Sequence, residues 1–180
     1  VKVVITNYPE GQTELVTVEN NPENEELGNR EVVFGREIYI ERNDFMEEPV
    51  KKFFRLAPGK EVRLKGAYFI TCTDVVKDEN GNITEIHCTY DPETKSGSGC
   101  TRKVKGTLHW VEASTAVDIE SRLYDYLLKE DSDGKDFLGD FNHESLQVFN
   151  SKGEACLATT VPGDRFQFLR QGYFVTDKDS

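Results

Sequence analysis

Residues 68–90 read YFITCTDVVKDENGNITEIHCTY, and this stretch decides the fold. Two runs rich in β-branched and aromatic residues, Tyr68 to Val76 and Ile83 to Tyr90, flank the cluster Asp78, Glu79, Asn80, Gly81 and Asn82. That is how an antiparallel hairpin is written, with the Asn80-Gly81 pair able to supply the positive φ angles of a tight turn. Centring the turn on those two residues sets Cys72 roughly opposite Cys88 and Thr89, so the two thiols are expected to be unbonded neighbours.

The same period-two alternation continues outward on both sides. Upstream, Val1 to Asn7 and Glu14 to Glu19 read as a strand pair around Pro9, Glu10 and Gly11. Asn20 to Asn29 is polar and reads as a loop. Glu31 to Ile40 reads as one strand with Phe34, Ile38 and Ile40 inward. Asn43 to Val50 carries Asp44, Glu47 and Glu48, with Glu41 just before, and contains Pro49; it is expected to separate two β regions. Downstream, Glu93 to Cys100 is a Ser/Gly loop and Lys103 to Val111 a strand with Leu108 and Trp110 on one side and His109 on the other. Ala116 to Leu128 is ambiguous: Ile119, Leu123 and Leu127 fit a helical face slightly better than an alternating strand. Asp136 to Phe141 reads as one short helix, and Leu146 to Asn150, Ala155 to Thr160 and Arg165 to Thr176 as strands. About ten short strands at regular spacing predict an all-β chain of one or two closed antiparallel barrels. The long helical crossovers of a parallel α/β fold are missing.

Composition narrows the function. The 180 residues carry a formal net charge of −11, which argues against a general nucleic-acid binder, because non-specific affinity comes from Lys and Arg neutralising phosphates. Cys72, Cys88, Cys100 and Cys156 form no CxxC pair and no regular framework, so reduced thiols in the cytoplasm are the expectation. No apolar run approaches the ~20 residues that span a bilayer, and no membrane partner is expected. The opening on Val1 without Met, straight into a strand-like run, suggests a piece of something longer.

Against this acidic background one stretch stands out. KKFFRLAPGKEVRLK, residues 51–65, holds six basic residues (Lys51, Lys52, Arg55, Lys60, Arg63 and Lys65) and one acid, Glu61. Its net +5 leaves −16 on the remainder. Such segregation concentrates positive potential on one element while the rest repels non-specific polyanions. Alternation puts Arg63 and Lys65 on one face and Val62 and Leu64 in the core, and Phe53 and Phe54 could stack bases beside Arg55. The plain alternative is a solvated strand pair. A second stretch, DRFQFLRQGYF at 164–174, alternates aromatic with polar residues; Gln167 and Arg170 can make bidentate bonds to base edges, although a core strand with polar outer positions reads the same way.

No catalytic constellation emerges. His87, His109 and His143 lack HxH or HxxxH spacing, and there is no GxSxG, P-loop or GxGxxG, so no catalytic or metal-binding residue is assigned.

The two singled-out stretches, with the segments between them, resemble the C-terminal anticodon-binding region of the class I Glu/Gln tRNA synthetases, in its glutaminyl form. The resemblance is carried by REIYIERNDFMEEP at 36–49, FFRLAPGKEVRLKGAYFITC at 53–72, KDENGNITEIHCTYD at 77–91, RKVKGTLHWV at 102–111, RLYDYLL at 122–128 and FQFLRQGYF at 166–174. It implies two β-barrels with a short helix: a proximal barrel from 1–44 and 112–180 and a distal one from 45–111, with Ala116 to Leu128 a strand. It implies a tRNA(Gln) anticodon loop as partner, not DNA, and an upstream catalytic domain of Rossmann type that carries the ATP- and Mg²⁺-dependent chemistry. This chain alone is expected to need no cofactor and to catalyse nothing. The anticodon contacts it implies are Lys52, Arg55, Arg63, Lys65, Gln167 and Arg170. Gln anticodons, CUG and UUG, differ from Glu anticodons at the last base, so Arg55 is expected on guanine O6 and N7 at about 1–3 kcal/mol, Gln167 and Arg170 on the middle uridine and first base, and Arg63 and Lys65 on the neighbouring base or phosphates. The competing readings are a glutamyl-type anticodon binder, a structural RNA binder of the 5S-rRNA type with a shared barrel, and a carbohydrate-binding β module using Phe53, Phe54 and Trp110.

Overall fold

A computed structural model of the chain describes residues 1–21, 23–129, 131 and 135–178. Among these residues thirteen strands follow one another: β1 (Lys2–Ile5), β2 (Thr13–Glu19), β3 (Asn29–Gly35), β4 (Glu37–Ile40), β5 (Glu61–Leu64), β6 (Phe69–Lys77), β7 (Ile83–Asp91), β8 (Thr107–Leu108), β9 (Trp110–Glu112), β10 (Val117–Tyr124), β11 (Leu146–Gly153), β12 (Arg165–Phe168) and β13 (Gly172–Val175). Among the described residues the only helical segments are 3₁₀ turns. Seven strands form one sheet in the order β8-β5-β6-β7-β1-β4-β9. Its two edge strands, β8 and β9, are separated in sequence by His109 alone, so the sheet is a nearly closed barrel. Three two-stranded ladders, β2–β3, β10–β11 and β12–β13, complete an all-β architecture that fits the expected barrels.

The alternation read from sequence sets the barrel core. Val3 and Ile5 of β1, Ile38 and Ile40 of β4, Val62 and Leu64 of β5, Ile70 and Cys72 of β6 and Ile86 and Cys88 of β7 are all buried, as are Leu108 and Trp110. Phe34 sits at the centre of an aromatic cluster, edge-on to Tyr8 and Trp110 with each ring centroid 5.2 Å away; such pairs add about 0.5–1.5 kcal/mol beyond area burial. The 68–90 hairpin forms as read, with Cys72 paired opposite Cys88. Its turn is built differently in detail: Gly81 alone takes a positive φ, and the Asp78 carboxylate caps the loop by accepting from the Asn80 and Asn82 amides at 2.9 and 2.8 Å.

Several expectations are corrected. β1 does not pair with β2: it lies between β4, antiparallel, and β7, parallel, while β2 pairs with β3. Alternation reports which face is buried, not which neighbour is chosen. Glu31–Ile40 breaks at Arg36 into β3 and β4, which join different ladders. Ala155–Thr160 is a 3₁₀ turn over Ala155–Thr159 rather than a strand. The short helix expected at 136–141 is a single turn, in which the Asp140 amide donates to Asp136 O and the Gly139 amide to Asp136 Oδ1. One hydrogen-bonded turn fixes several dihedrals for one bond, and nothing here propagates it. Residues 117–124, where pattern slightly favoured helix and the resemblance implied a strand, are strand β10, paired with β11 along their whole length.

The chain falls into two compact units, residues 1–116 with 154–180, and residues 117–153. The first holds the barrel and the β2–β3 and β12–β13 ladders; the second is the β10–β11 ribbon. The acidic segment after residue 40 does not end the barrel sheet, since β1 and β4 precede it and β5 to β8 follow it. Asp44 and Phe45 are both buried within the first unit.

Candidate nucleic-acid interface

The basic stretch folds onto the barrel in two pieces. Strand β5 places Val62 and Leu64 in the core and turns Arg63 outward, as alternation requires, and Lys65 opens the turn directly after the strand. Arg63 is not a free arm: its guanidinium lies 4.2 Å from the Phe69 ring centroid and donates to Ser96 Oγ at 2.9 Å. Arg102 approaches the same ring at 5.3 Å and pairs with Glu61 and Asp91. Lys65 accepts the Trp110 indole N–H on its backbone carbonyl at 3.0 Å and lines a shallow cleft with Arg30, His109, Trp110 and Glu154. That cleft measures about 10 Å³, room for a single water and far too small for a base. Glu154 accepts Arg30 on both oxygens at 2.7 Å and His109 at 3.1 Å. Burial pushes its carboxyl up, but the hydrogen bonds from Arg30 and His109 outweigh burial and hold it at about 2.

The other piece, 51–56, is a turn leading into a β-bridge between Phe45 and Leu56. Lys52 stands exposed at φ +72, and among the described residues no ion pair reaches it. Phe54 is half exposed, with the Lys105 ammonium 5.0 Å from its ring centroid. Gly106 passes so close that a Cβ there would lie 2.1 Å from Phe54 O, which pins residues 103–106 against this turn; these residues are extended chain leading into β8 and not part of the strand expected from Lys103. An exposed ring bordered by Lys52 and Lys105 is suited to stacking on an unpaired base.

The third element is the β12–β13 hairpin. Phe168 and Phe174 stack at 4.6 Å, and Gln167 points outward opposite the exposed Tyr173. The tip, Leu169 to Gln171, carries Arg170 at φ +65. From there Arg170 forks onto Asp44, Nη1 to Oδ1 at 2.9 Å and Nη2 to Oδ2 at 2.6 Å, with Glu41 at 3.4 Å. Gln171 donates to Glu41 at 2.6 Å. Arg55 reaches the same Asp44, Nη1 to Oδ1 at 3.1 Å, and donates to Asn43 O at 3.2 Å. Asp44 is fully buried, whereas the two arginine side chains are 38% and 35% exposed, so the counter-charge lies beneath and the cations face solvent. The hydrogen bond to Asp44 raises the Arg170 guanidinium further above its ordinary range.

Of the six residues expected to contact nucleic acid, the fold thus joins Arg55 and Arg170 through one carboxylate. Gln167 stands on the hairpin that Arg170 anchors, and Lys52 beside the Phe54 turn. Arg63 on the outer face of β5 and Lys65 just after its end are held by contacts of their own. Sequence reading missed Asp44 and Glu41, taken only as parts of an acidic boundary, and Lys105. A signal was present in both cases: the acids lie directly before the basic run, and RKVK at 102–105 is itself a basic cluster.

Comparison with known proteins gives two family matches, both described as tRNA synthetases class I (E and Q), anti-codon binding domain, over residues 1–91 and 107–177. The chain is 56% identical over 180 residues to a glutamine–tRNA ligase of Clostridium perfringens, covering 98% of this chain and 33% of that protein. It is 55% identical over 181 residues to the one from Clostridioides difficile, covering 98% and 33%, and 50% identical over 182 residues to the one from Bradyrhizobium diazoefficiens, covering 99% and 33%. The chain spans about one third of the length of the curated relatives it matches.

Proposed function

The chain belongs to the class I Glu/Gln tRNA synthetases, as their anticodon-binding region, and from that premise we propose that it reads the anticodon loop of tRNA(Gln) for a glutamine–tRNA ligase. The relatives at 50–56% identity carry that name. In this reading the remaining two thirds of the protein supplies a catalytic domain that uses ATP and Mg²⁺ in the cytoplasm, and this region supplies recognition.

The observation that carries the reading is the meeting of Arg55 and Arg170 on Asp44, with the half-exposed Phe54 directly before Arg55 in the chain. Anticodon bases must be unstacked for their edges to be read, and an aromatic rim with adjacent guanidinium forks is the chemistry that does so. Arg55 takes guanine at the last anticodon position, the base that separates Gln from Glu anticodons. Gln167 and Arg170 take the middle uridine and first base, Arg170 through the single donors that its fork on Asp44 leaves. Arg63, Lys65 and Lys52 take the neighbouring base and phosphates. Elsewhere the acidic body keeps other RNA away. The test is binding to anticodon stem-loops that differ only in the last base, G against C, at fixed salt. Equal affinities, or tighter binding to the C form, would reject the glutamine assignment.

A further inference from the structure

Asp44 is a fully buried carboxylate at this interface, and its two oxygens engage its two arginines unequally. Arg170 commits both terminal nitrogens: Nη1 to Oδ1, and Nη2 to Oδ2 and Glu41. No complete two-donor edge is left to it. Arg55 is held through Nη1 alone, by Asp44 Oδ1 and Asn43 O. Its opposite edge, Nε–H beside Nη2–H, meets no protein acceptor among the described residues, and its side chain is 38% exposed. A guanidinium edge with two parallel donors is what a guanine O6/N7 pair or a phosphate accepts.

Asp44 itself is fixed in place from both directions along the backbone. Its amide donates to Glu41 O at 3.0 Å within the 3₁₀ turn Arg42–Asp44, and its carbonyl accepts the Leu56 amide at 3.0 Å, next to Arg55. The carboxylate and the arginine it orients are therefore tied by the bridge at Phe45 and Leu56, both buried.

Resting on the anticodon reading above, we propose that Asp44 is a specificity-positioning residue: it clamps Arg55 by one nitrogen so that the Nε/Nη2 edge is presented to the last anticodon base. Arg170 is the brace that completes the clamp. Asp44 touches no RNA and supplies no affinity; as an anion it opposes polyanion binding. Its value lies in orienting a donor pair, which otherwise sweeps many rotamers.

This separates Asp44 from a residue that merely supports the fold. Asp44→Asn keeps the shape and removes the charge. The experiment measures affinity of the whole chain for two anticodon stem-loops, ending in G or C at the last position, across a salt series. The expected result is that the preference for G falls by roughly tenfold or more, while affinity for the C form holds or rises and the salt slope is not reduced. If Asp44→Asn keeps the full preference, the positioning role is overturned and the anticodon reading stands. If affinity for both loops falls in parallel, Asp44 acts only as structure and the proposal is again overturned. A wild-type chain with no preference between the loops overturns the anticodon reading and the proposal with it. Arg170→Lys serves as a second variant that keeps the charge and loses the fork; it is expected to weaken the G preference without lowering the salt slope, and an unaltered preference counts against the brace.

Discussion

Arg170 and Asp44, 126 residues apart in the chain, close a two-pronged ion pair with contacts of 2.9 and 2.6 Å. The pair fastens the tip of the β12–β13 hairpin to the turn after β4, and Gln171 adds a second tie to Glu41. A buried carboxylate requires such partners, because an ion left alone in the interior costs several kcal/mol.

Replacing Arg170 should therefore destabilise the chain. Arg170→Ala leaves Asp44 with Arg55 as its only cation and should cost about 1–3 kcal/mol, the lower part of the range for a buried pair because the guanidinium is partly exposed. Arg170 also sits at φ +65, where glycine is free of the Cβ penalty. Arg170→Gly should thus be less costly than Arg170→Ala by about 0.5–1 kcal/mol. Urea unfolding of both variants checks the order; a glycine variant weaker than the alanine one would mean that the added freedom of the unfolded chain outweighs relief of the positive φ.

Arg55→Ala removes the proposed donor pair. Discrimination between stem-loops ending in G and in C should drop by about 1–3 kcal/mol, with a smaller loss of affinity for the C form. Titration at one fixed salt concentration measures it, and intact discrimination would take Arg55 out of base reading.

Lys65 should behave in the opposite way. As a phosphate contact, Lys65→Ala should weaken binding to every stem-loop alike and flatten the dependence of log affinity on log salt by about 0.7. An unchanged slope removes it from the phosphate set.

Glu154 makes the chain sensitive to acid. Its carboxyl ordinarily titrates at 4.5 and is held at about 2 in the folded chain, where hydrogen bonds from Arg30 and His109 outweigh the opposing effect of burial. Because the folded value is the lower one, the stabilisation is complete above about pH 4.5 and is lost as pH falls toward 2. A shift of that size corresponds to about 3 kcal/mol. Trp110, the single tryptophan, lines the same cleft and is buried, so its fluorescence reports the transition. Glu154→Gln should lower stability at neutral pH and narrow the difference between pH 5 and pH 2.5; an identical pH profile would show that the pair with Arg30 contributes nothing.

The four thiols should divide into two classes. Cys72 and Cys88 face each other across β6 and β7 and are buried, and the hydrogen bond with Cys72 together with burial pushes the Cys88 thiol up. Cys156 is exposed and Cys100 partly so. A thiol reagent should modify two groups in the folded chain and the other two only after denaturation, since reactivity follows the accessible thiolate. Reaction of all four at one rate in native buffer would contradict the facing-strand register.

What the sequence by itself determined was whatever is encoded over a few residues. The alternation of Val62, Leu64, Ile70, Cys72, Ile86 and Cys88 marked the buried face, Asn80-Gly81 marked the turn, and KKFFRLAPGKEVRLK marked where positive charge collects. Those signals marked an all-β chain and Arg55 as a residue of interest, and the aromatic-polar alternation of DRFQFLRQGYF at 164–174 marked Arg170. Only the tertiary structure decided which edges meet: that β1 lies between β4 and β7, that 117–124 is a strand because β11 offers it a ladder, and that Asp136 begins a turn and not a helix. It also decided that Asp44, read along the chain as part of an acidic spacer, is the shared partner of two arginines. The reason is physical: propensity and period act along the chain, whereas hydrogen-bond partners and counter-charges are chosen across space, where 126 residues of separation cost a folded chain nothing once the barrel has closed.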